Sequence, residues 1–365
     1  MVETDALQKK ACPECGADVA WNPSRQAQVC PYCGTVVPGQ PASADGSMME
    51  HDLAQVLREV PAERRGWQEP KISVKCQSCR AISIFDPGRA AQNCDFCGSP
   101  SIVPYEETKD AIRPESLLPF QVSESKVRED IRRWYGSRWF APNRLKKAAL
   151  TDTLHGLYLP YWTFDAKADA SWTAESGYHY YVSETTTHSN GRTETRQVQK
   201  TRWQPSSGRL NHFFDDQLVA GTVGVDGRLL RQIEPFPTKE LQCYDPSFVR
   251  GWVVERYQID LGQAAEQSRQ RMDEELRALC AAQVPGDTHR HLQVQAQYSD
   301  RTFKHVLLPI WLLAYTFGAK TYQVLINGCT GKIAGHRPYS WVKITLAILF
   351  AALILLIILL AKSSQ

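Results

Sequence analysis

No apolar h-region opens this 365-residue chain: its first ten residues, MVETDALQKK, predict no secretory signal. The loops of the common nucleotide and hydrolase chemistries are missing too. A P-loop needs G-x-x-x-x-G-K-[ST], whose lysine reaches the β- and γ-phosphates. The nearest approach, Gly328-Cys-Thr-Gly331-Lys332, brings its first glycine too close and puts Ile333 where the Mg²⁺-binding hydroxyl belongs. No acidic Walker-B-like run follows an apolar strand, so helicase or ATPase chemistry is not expected. Neither G-x-S-x-G nor H-E-x-x-H occurs. His155, His179, His188 and His212 scatter through predicted strands and turns. Asp215-Asp216, after Phe213-Phe214, is the most enzyme-like pair, because adjacent buried carboxylates shift each other's pKa. Neighbours on a strand face opposite sides, however, so an Asp-Asp turn is expected there and no catalytic residue is assigned. No small-molecule substrate is evident. The net charge of +3 is too small to mark a nucleic-acid binder by itself.

What is present begins at the far end. Ile344 to Ala361, ITLAILFAALILLIILLA, is eighteen residues with no charge and one hydroxyl. As a helix it spans about 27 Å, close to the hydrocarbon thickness of a bilayer. Arg337 and Lys343 precede it and Lys362 follows, a positive-inside bias that keeps the body in the cytoplasm. Tyr339 and Trp341 sit where interfacial aromatics belong. The expectation is a single-pass C-terminal anchor, 344–361, in the cytoplasmic (inner) membrane. Hydrophobic residues at 43% and aromatics at 10% suit a folded body with a real core.

Eight of the eleven cysteines fall in CxxC pairs, a pattern of metal ligands in a reducing compartment. Cys12-Pro-Glu-Cys15 and Cys30-Pro-Tyr-Cys33 are separated by fourteen residues, as are Cys76-Gln-Ser-Cys79 and Cys94-Asp-Phe-Cys97. Trp21-Asn-Pro-Ser-Arg25 aligns with Phe85-Asp-Pro-Gly-Arg89, so the unit is duplicated. Such spacing brings four thiolates to the corners of a tetrahedron, which predicts one structural Zn²⁺ per unit with no open position for a reacting water. Zinc ribbons are expected over 11–38 and 71–105. Between them, 39–70 reads as a linker with a short helix, His51 to Val60, whose Leu53, Val56, Leu57 and Val60 share a face. Protein contact, nucleic-acid binding and plain scaffolding are all open to the ribbons. The other three cysteines, Cys243, Cys280 and Cys329, are expected as small buried apolar residues.

The body, 106–340, reads as α+β, a set of helices with an antiparallel sheet. A helix is predicted from Glu124 to Arg138, with Ser123 as N-cap and Val127, Ile131 and Trp134 buried. The cations Lys126, Arg128, Arg132, Arg133, Arg138, Arg144, Lys146 and Lys147 are interleaved with Trp134, Tyr135, Trp139 and Phe140. Three readings stand for this stretch: phosphate grip with base stacking, anionic lipid contact, or a solvated basic face. Two short strands, Tyr178 to Thr187 and Glu194 to Trp203, flank an Asn190-Gly191 turn. A second helix is expected from Gly262 to Gln283, with Ala265, Met272, Leu276 and Leu279 on its apolar side. Leu-Pro-x-Trp occurs at 159–162 and again at 308–311, suggesting repeat units 120–235 and 255–338. Tyr322 to Ile333 reads as a hairpin turning at Asn327-Gly328 and Gly331.

RRWYGSRWFAPNRL, LHGLYLPYWTFDA, HFFDDQLV, TFKHVLLPIWLLAY and YQVLINGCTGKIAGHRPYS, behind paired ribbons, resemble a family of bacterial zinc-ribbon membrane proteins. Its members often carry the label "primosomal protein N′ (replication factor Y) superfamily II helicase", a name that the missing P-loop does not support here. Similar ribbon-plus-anchor proteins are encoded beside phage-shock (PspA-like) proteins and help bring them to the membrane. The resemblance implies a glutamine at Cys329 and a glycine at Arg80; neither is a metal ligand. The combined expectation is a non-enzymatic, membrane-anchored adaptor that recruits a protein partner, with a membrane-tethered nucleic-acid binder as the alternative.

Overall fold

The computed structural model describes residues 11–37, 50–58, 72–85, 93–105, 112–138, 140, 154–187, 193–317, 320–336 and 339–363. The chain begins with a three-stranded sheet of short strands: β1 (Ala20–Asn22), β2 (Ala27–Val29) and β3 (Val36–Val37). Next come β4 (His51–Asp52) and α1 (Leu53–Arg58). The second cysteine unit supplies β5 (Ile72–Cys76), β6 (Ile82–Phe85) and β7 (Ile102–Pro104). The body then runs through β8 (Ser116–Leu117), α2 (Glu124–Gly136), β9 (Leu154–Thr187), β10 (Thr193–Ala220) and α3 (Gly227–Ile233). It continues with β11 (Gln242–Cys243), α4 (Pro246–Val249), β12 (Val253–Glu255) and α5 (Leu261–Gln283). The chain ends with β13 (Thr288–Phe317), β14 (Lys320–Asn327), β15 (Ile333–Gly335) and α6 (Trp341–Ser363).

Two long antiparallel neighbours, β9 and β13, form the spine of a twelve-stranded mixed sheet. Pro160 and Pro309, which would weaken an interior strand, sit where each spine strand changes its outer neighbour. On β9, β12 pairs in parallel at 157–158 and β10 takes over antiparallel from Tyr161. On β13, β8 pairs in parallel at 306–307 and β14 takes over from Ile310. At each switch a glycine amide reaches the proline carbonyl: Gly221 N donates to Pro160 O (2.8 Å) and Gly328 N to Pro309 O (2.9 Å). A Cβ on Gly328 would lie 2.7 Å from Pro309 O, so only glycine fits. The expected all-antiparallel sheet is therefore mixed, with two short parallel pairings.

Both faces of the spine are covered. The even-numbered side chains of β9 meet two helices. α2 buries Val127, Ile131 and Tyr135 against Tyr158, Trp311 and Leu313, and α5 buries Leu261, Met272, Leu276 and Cys280 against Trp162, Phe164 and Trp172. In α2 the buried aromatic is Tyr135 rather than the expected Trp134, which is only partly covered. In α5 the stripe ends on Cys280, and Leu279 is half-exposed. The odd-numbered face carries Leu157, Leu159 and Tyr161 beneath α3 and the second cysteine unit. Of the spare cysteines, Cys280 and Cys329 are buried as expected, whereas Cys243 is exposed.

The short helix after β4 packs on the body core: Leu53 and Val56 join the α5 cluster, while Leu57 is exposed. Val60 lies outside the described residues. The strands about the Asn190-Gly191 turn, itself outside the described residues, are far longer than expected. β9 has 34 residues and β10 has 28. Gly177 and Gly208 read as breakers, yet each stands opposite a tryptophan, Trp203 and Trp172 respectively. A Cβ on Gly208 would lie 2.5 Å from the Trp172 ring, so the bare backbone is where the ring lies.

Candidate metal centres and projecting arm

Each cysteine unit is built from two knuckles with one hydrogen-bond pattern. The first cysteine's N–H donates to the carbonyl five residues on, and its own carbonyl accepts from the N–H four residues on. In the first unit these are Cys12 N to Ala17 O (2.7 Å), Gly16 N to Cys12 O (2.8 Å), Cys30 N to Thr35 O (2.9 Å) and Gly34 N to Cys30 O (3.0 Å). The second repeats them at Cys76/Arg80 and Cys94/Gly98. The chain reverses through a left-handed residue each time: Gly16 (φ 70°), Gly34 (75°), Gly98 (73°) and, in the one departure, Arg80 (67°).

The four Sγ atoms of Cys12, Cys15, Cys30 and Cys33 lie within 4.8 Å of one another, as do those of Cys76, Cys79, Cys94 and Cys97. The pairs that are in contact are 3.4–3.7 Å apart. That is too long for a disulfide and close to the roughly 3.8 Å edge of a sulfur tetrahedron with 2.3 Å metal–sulfur arms. Both clusters thus fit a metal ion. Crowding also splits the thiols. The hydroxyl and N–H of Thr35 pull Cys33 down to about 6, and the Cys79 thiol pulls Cys94 down to about 5 while Cys79 itself is pushed up. A cation at the centre removes this competition, because all four sulfurs can then be thiolates together.

The two centres differ in setting. In the first, Cys15 and Cys33 are exposed. Its ribbon docks on the body through Trp21 Nε1, which donates to Phe120 O (2.8 Å), and Gln28 Nε2, which donates to buried Ser247 Oγ (2.6 Å). An Arg250–Asp18 ion pair adds to this contact. The second centre is woven into the large sheet: β6 pairs with both β5 and β12, and Cys76, Cys94 and Phe96 belong to the core under α3.

The basic helix is mostly self-neutralised. Lys126 pairs with Asp130 (2.9 Å), Arg128 with Glu124 (2.6 Å), and Arg133 with Glu129 and Asp130 (2.6 and 3.3 Å). Glu124, just before the stretch in which cations outnumber acids, supplies one of these partners. Arg132 is exposed, and the Arg138 guanidinium lies over the Trp134 ring at 5.2 Å. Arg144, Lys146 and Lys147 lie outside the described residues.

Asp215-Asp216 does not form the expected turn. It is a β-bulge in β10: two residues oppose Asp165 of β9, with Asp216 at φ 49°. The Asp216 N–H donates to Asp165 Oδ1 (2.5 Å). Oxygens of Asp165, Asp215 and Asp216 are close enough for a cation, and the fold supplies one, the buried Lys304 ammonium. It stands 2.8 Å from Asp216 and 3.9 Å from Asp165. Burial raises the Asp165 carboxyl; burial also opposes the Lys304 charge, but the bond to Asp216 and the surrounding acids outweigh it. The bulge borders a cleft of ≈ 910 Å³ between β10, α3 and α5, lined by His212, Arg231, Glu234, Arg271 and Glu275 among others.

Beyond Gly177, β13 no longer accompanies β9, and β9 and β10 continue as a two-stranded arm. From Tyr178 to Thr187 it extends about 33 Å. Among the described residues, no strand pairs with either outer edge of this arm. Tyr180 and Tyr181 are 45% and 65% exposed and, as neighbours on β9, stand on opposite faces of the arm. At the opposite end of the molecule, α6 has no buried residue in its apolar stretch Trp341–Ile358 and is long enough to cross a bilayer.

The chain is 21% identical over 235 residues to YdjG of Bacillus subtilis (strain 168), an uncharacterized protein; the match covers 64% of this chain and 66% of the relative, just under two thirds of its length. No family model matches, and no solved structure matches.

Proposed function

We propose that this protein is a non-enzymatic adaptor, anchored in the cytoplasmic membrane by α6 with its body in the cytoplasm, that holds a protein partner on its projecting arm. The single observation that carries this reading is the arm itself. Beyond His179, whose N–H donates to Asp287 Oδ2, the two edges of the arm, which no described strand covers, and its exposed tyrosines offer main-chain hydrogen bonds and aromatic anchors to an incoming extended segment. Anchoring raises the effective concentration of whatever the arm holds near the bilayer. A partner of the envelope-stress, phage-shock type is the one that the resemblance to ribbon-plus-anchor proteins favours.

The two metal ions are Zn²⁺ in this reading. Four thiolates with no place for water suit its tetrahedral, redox-inert chemistry, and each ion serves to fold its knuckles. The paired Leu-Pro-x-Trp motifs, with equivalent proline switches and glycine amides, support a body made of two related helix–strand–hairpin units.

The test is an in-cell crosslinking pull-down of the full chain, with and without nuclease. Recovery of one protein that persists after nuclease, and is lost with Tyr180→Ala plus Tyr181→Ala in the arm, is expected. Recovery only of nucleic acid and its bound proteins, vanishing with nuclease, would replace the adaptor by a membrane-tethered nucleic-acid binder.

A further inference from the structure

The end of the body from which α6 emerges carries more than a linker. Ser340, the last residue before α6, donates its N–H to the carbonyl of Phe140 at 2.8 Å, and Ser340 O in turn accepts from Ile344 N (3.1 Å) in the helix's first turn. The backbone just past α2 is thereby bonded to the residue that starts the anchor. Nearby, Tyr315 Oη donates to His336 O (3.3 Å), holding the chain before α6 to the base of β13.

We infer that this α2 end is a second membrane contact, seated on the anionic phospholipid headgroups of the bilayer that α6 enters. This rests on α6 being an anchor. Three observations bear on it. The charge along α2 and the residues just past it is graded: its acids end at Asp130, Arg133 pairs back onto them, and Arg132 and, beyond the helix, Arg138 follow toward the anchor. Aromatic side chains collect at the same level, with Phe140 39%, Tyr339 56% and Trp341 79% exposed; rings of this kind belong at the headgroup layer. Lys343, in the first turn of α6, adds a cation where an anionic surface would meet it. An apolar protein groove would accept the rings but not the cations; a headgroup layer accepts both.

The seat has a consequence for the arm. β9 starts at this end, at Leu154 opposite Leu313, and runs 34 residues to Thr187. At about 3.3 Å per residue the arm tip stands on the order of 100 Å along the strand from the membrane contact. A body fixed at two points directs that reach; a body on a single swivelling helix does not.

The full chain in nanodiscs tests this by amide hydrogen exchange over the C-terminal turn of α2 and Phe140. One set of discs is phosphatidylcholine alone, the other an equal mixture with phosphatidylglycerol. Slower exchange in the mixed discs is expected, with the difference abolished by Arg132→Glu plus Arg138→Glu while α6 stays resistant to alkaline extraction. Equal exchange in both discs with α6 inserted overturns the seat and leaves the anchor standing. Equal slowing in both, unaffected by the substitutions, overturns the anionic assignment. Extraction of α6 itself overturns the anchor and the seat together.

Discussion

Leu159 on β9 lies directly opposite Leu308 on β13, so the two Leu-Pro-x-Trp motifs meet about one point of the sheet. The tryptophans that close them make matching bonds. Trp162 Nε1 donates to Ile259 O (3.0 Å) and Trp311 Nε1 to Val122 O (3.1 Å). Each carbonyl comes one residue before a helix N-cap, Asp260 for α5 and Ser123 for α2. Each indole therefore fixes where one helix of the even face begins.

Replacing either indole by Phe keeps a ring but leaves a carbonyl without its donor. Trp162→Phe and Trp311→Phe are each expected to lower stability by about 1–3 kcal/mol. Urea unfolding of the two variants checks this, and similar losses are predicted because the bonds are equivalent.

Arg80 holds a left-handed conformation that glycine occupies in the other three knuckles. Its side chain is exposed. Arg80→Gly should therefore stabilise the second ribbon by about 1 kcal/mol, read as a higher midpoint in thermal unfolding of the metal-loaded protein.

His305 is buried and stacked on Trp162, with its Nδ1 2.9 Å from Ile112 O. Burial lowers its pKa from 6.5 to about 4. Between those values the unfolded chain binds the proton and the folded one does not. This contribution is thus fully present above pH 6.5 and is lost as pH falls toward 4, by at most about 3 kcal/mol. His305→Phe should flatten that part of the pH profile of the urea midpoint, even if its stability at neutral pH is lower.

Metal removal should separate the two centres. The first exposes two of its cysteines and docks by a few side-chain contacts; the second shares core and sheet with the body. A chelator titration followed by metal release and near-ultraviolet circular dichroism is expected to show two steps. The first ion leaves with little change in the body signal, and the second takes the tertiary signal with it.

Cysteine spacing made both clusters legible before any fold was known, because four thiols at those intervals have little else to do. The helix after Ser123 and the apolar run of α6 were equally plain from periodicity and length. The long strands were not. Gly177, Gly208 and Pro205 look like stops in β9 and β10, but the glycines seat tryptophans across the ladder. Pro205 lies on β10, which among the described residues pairs only with β9, and a missing N–H is tolerated on such an edge strand. The Asp215-Asp216 bulge was hidden for another reason: its partners, Asp165 and Lys304, come from strands 51 and 88 residues away. The basic stretch after Ser123 was misleading as a charge count, since intrahelical acids already pair with three of its cations.

The arm carries the central claim, and a photo-crosslinking amino acid at Tyr181 in living cells tests it most directly, with the same group at exposed Glu274 of α5 as control. A discrete crosslinked protein at Tyr181 and none at Glu274 is the predicted result. An arm that crosslinks nothing, or only the same background as Glu274, would contradict the account.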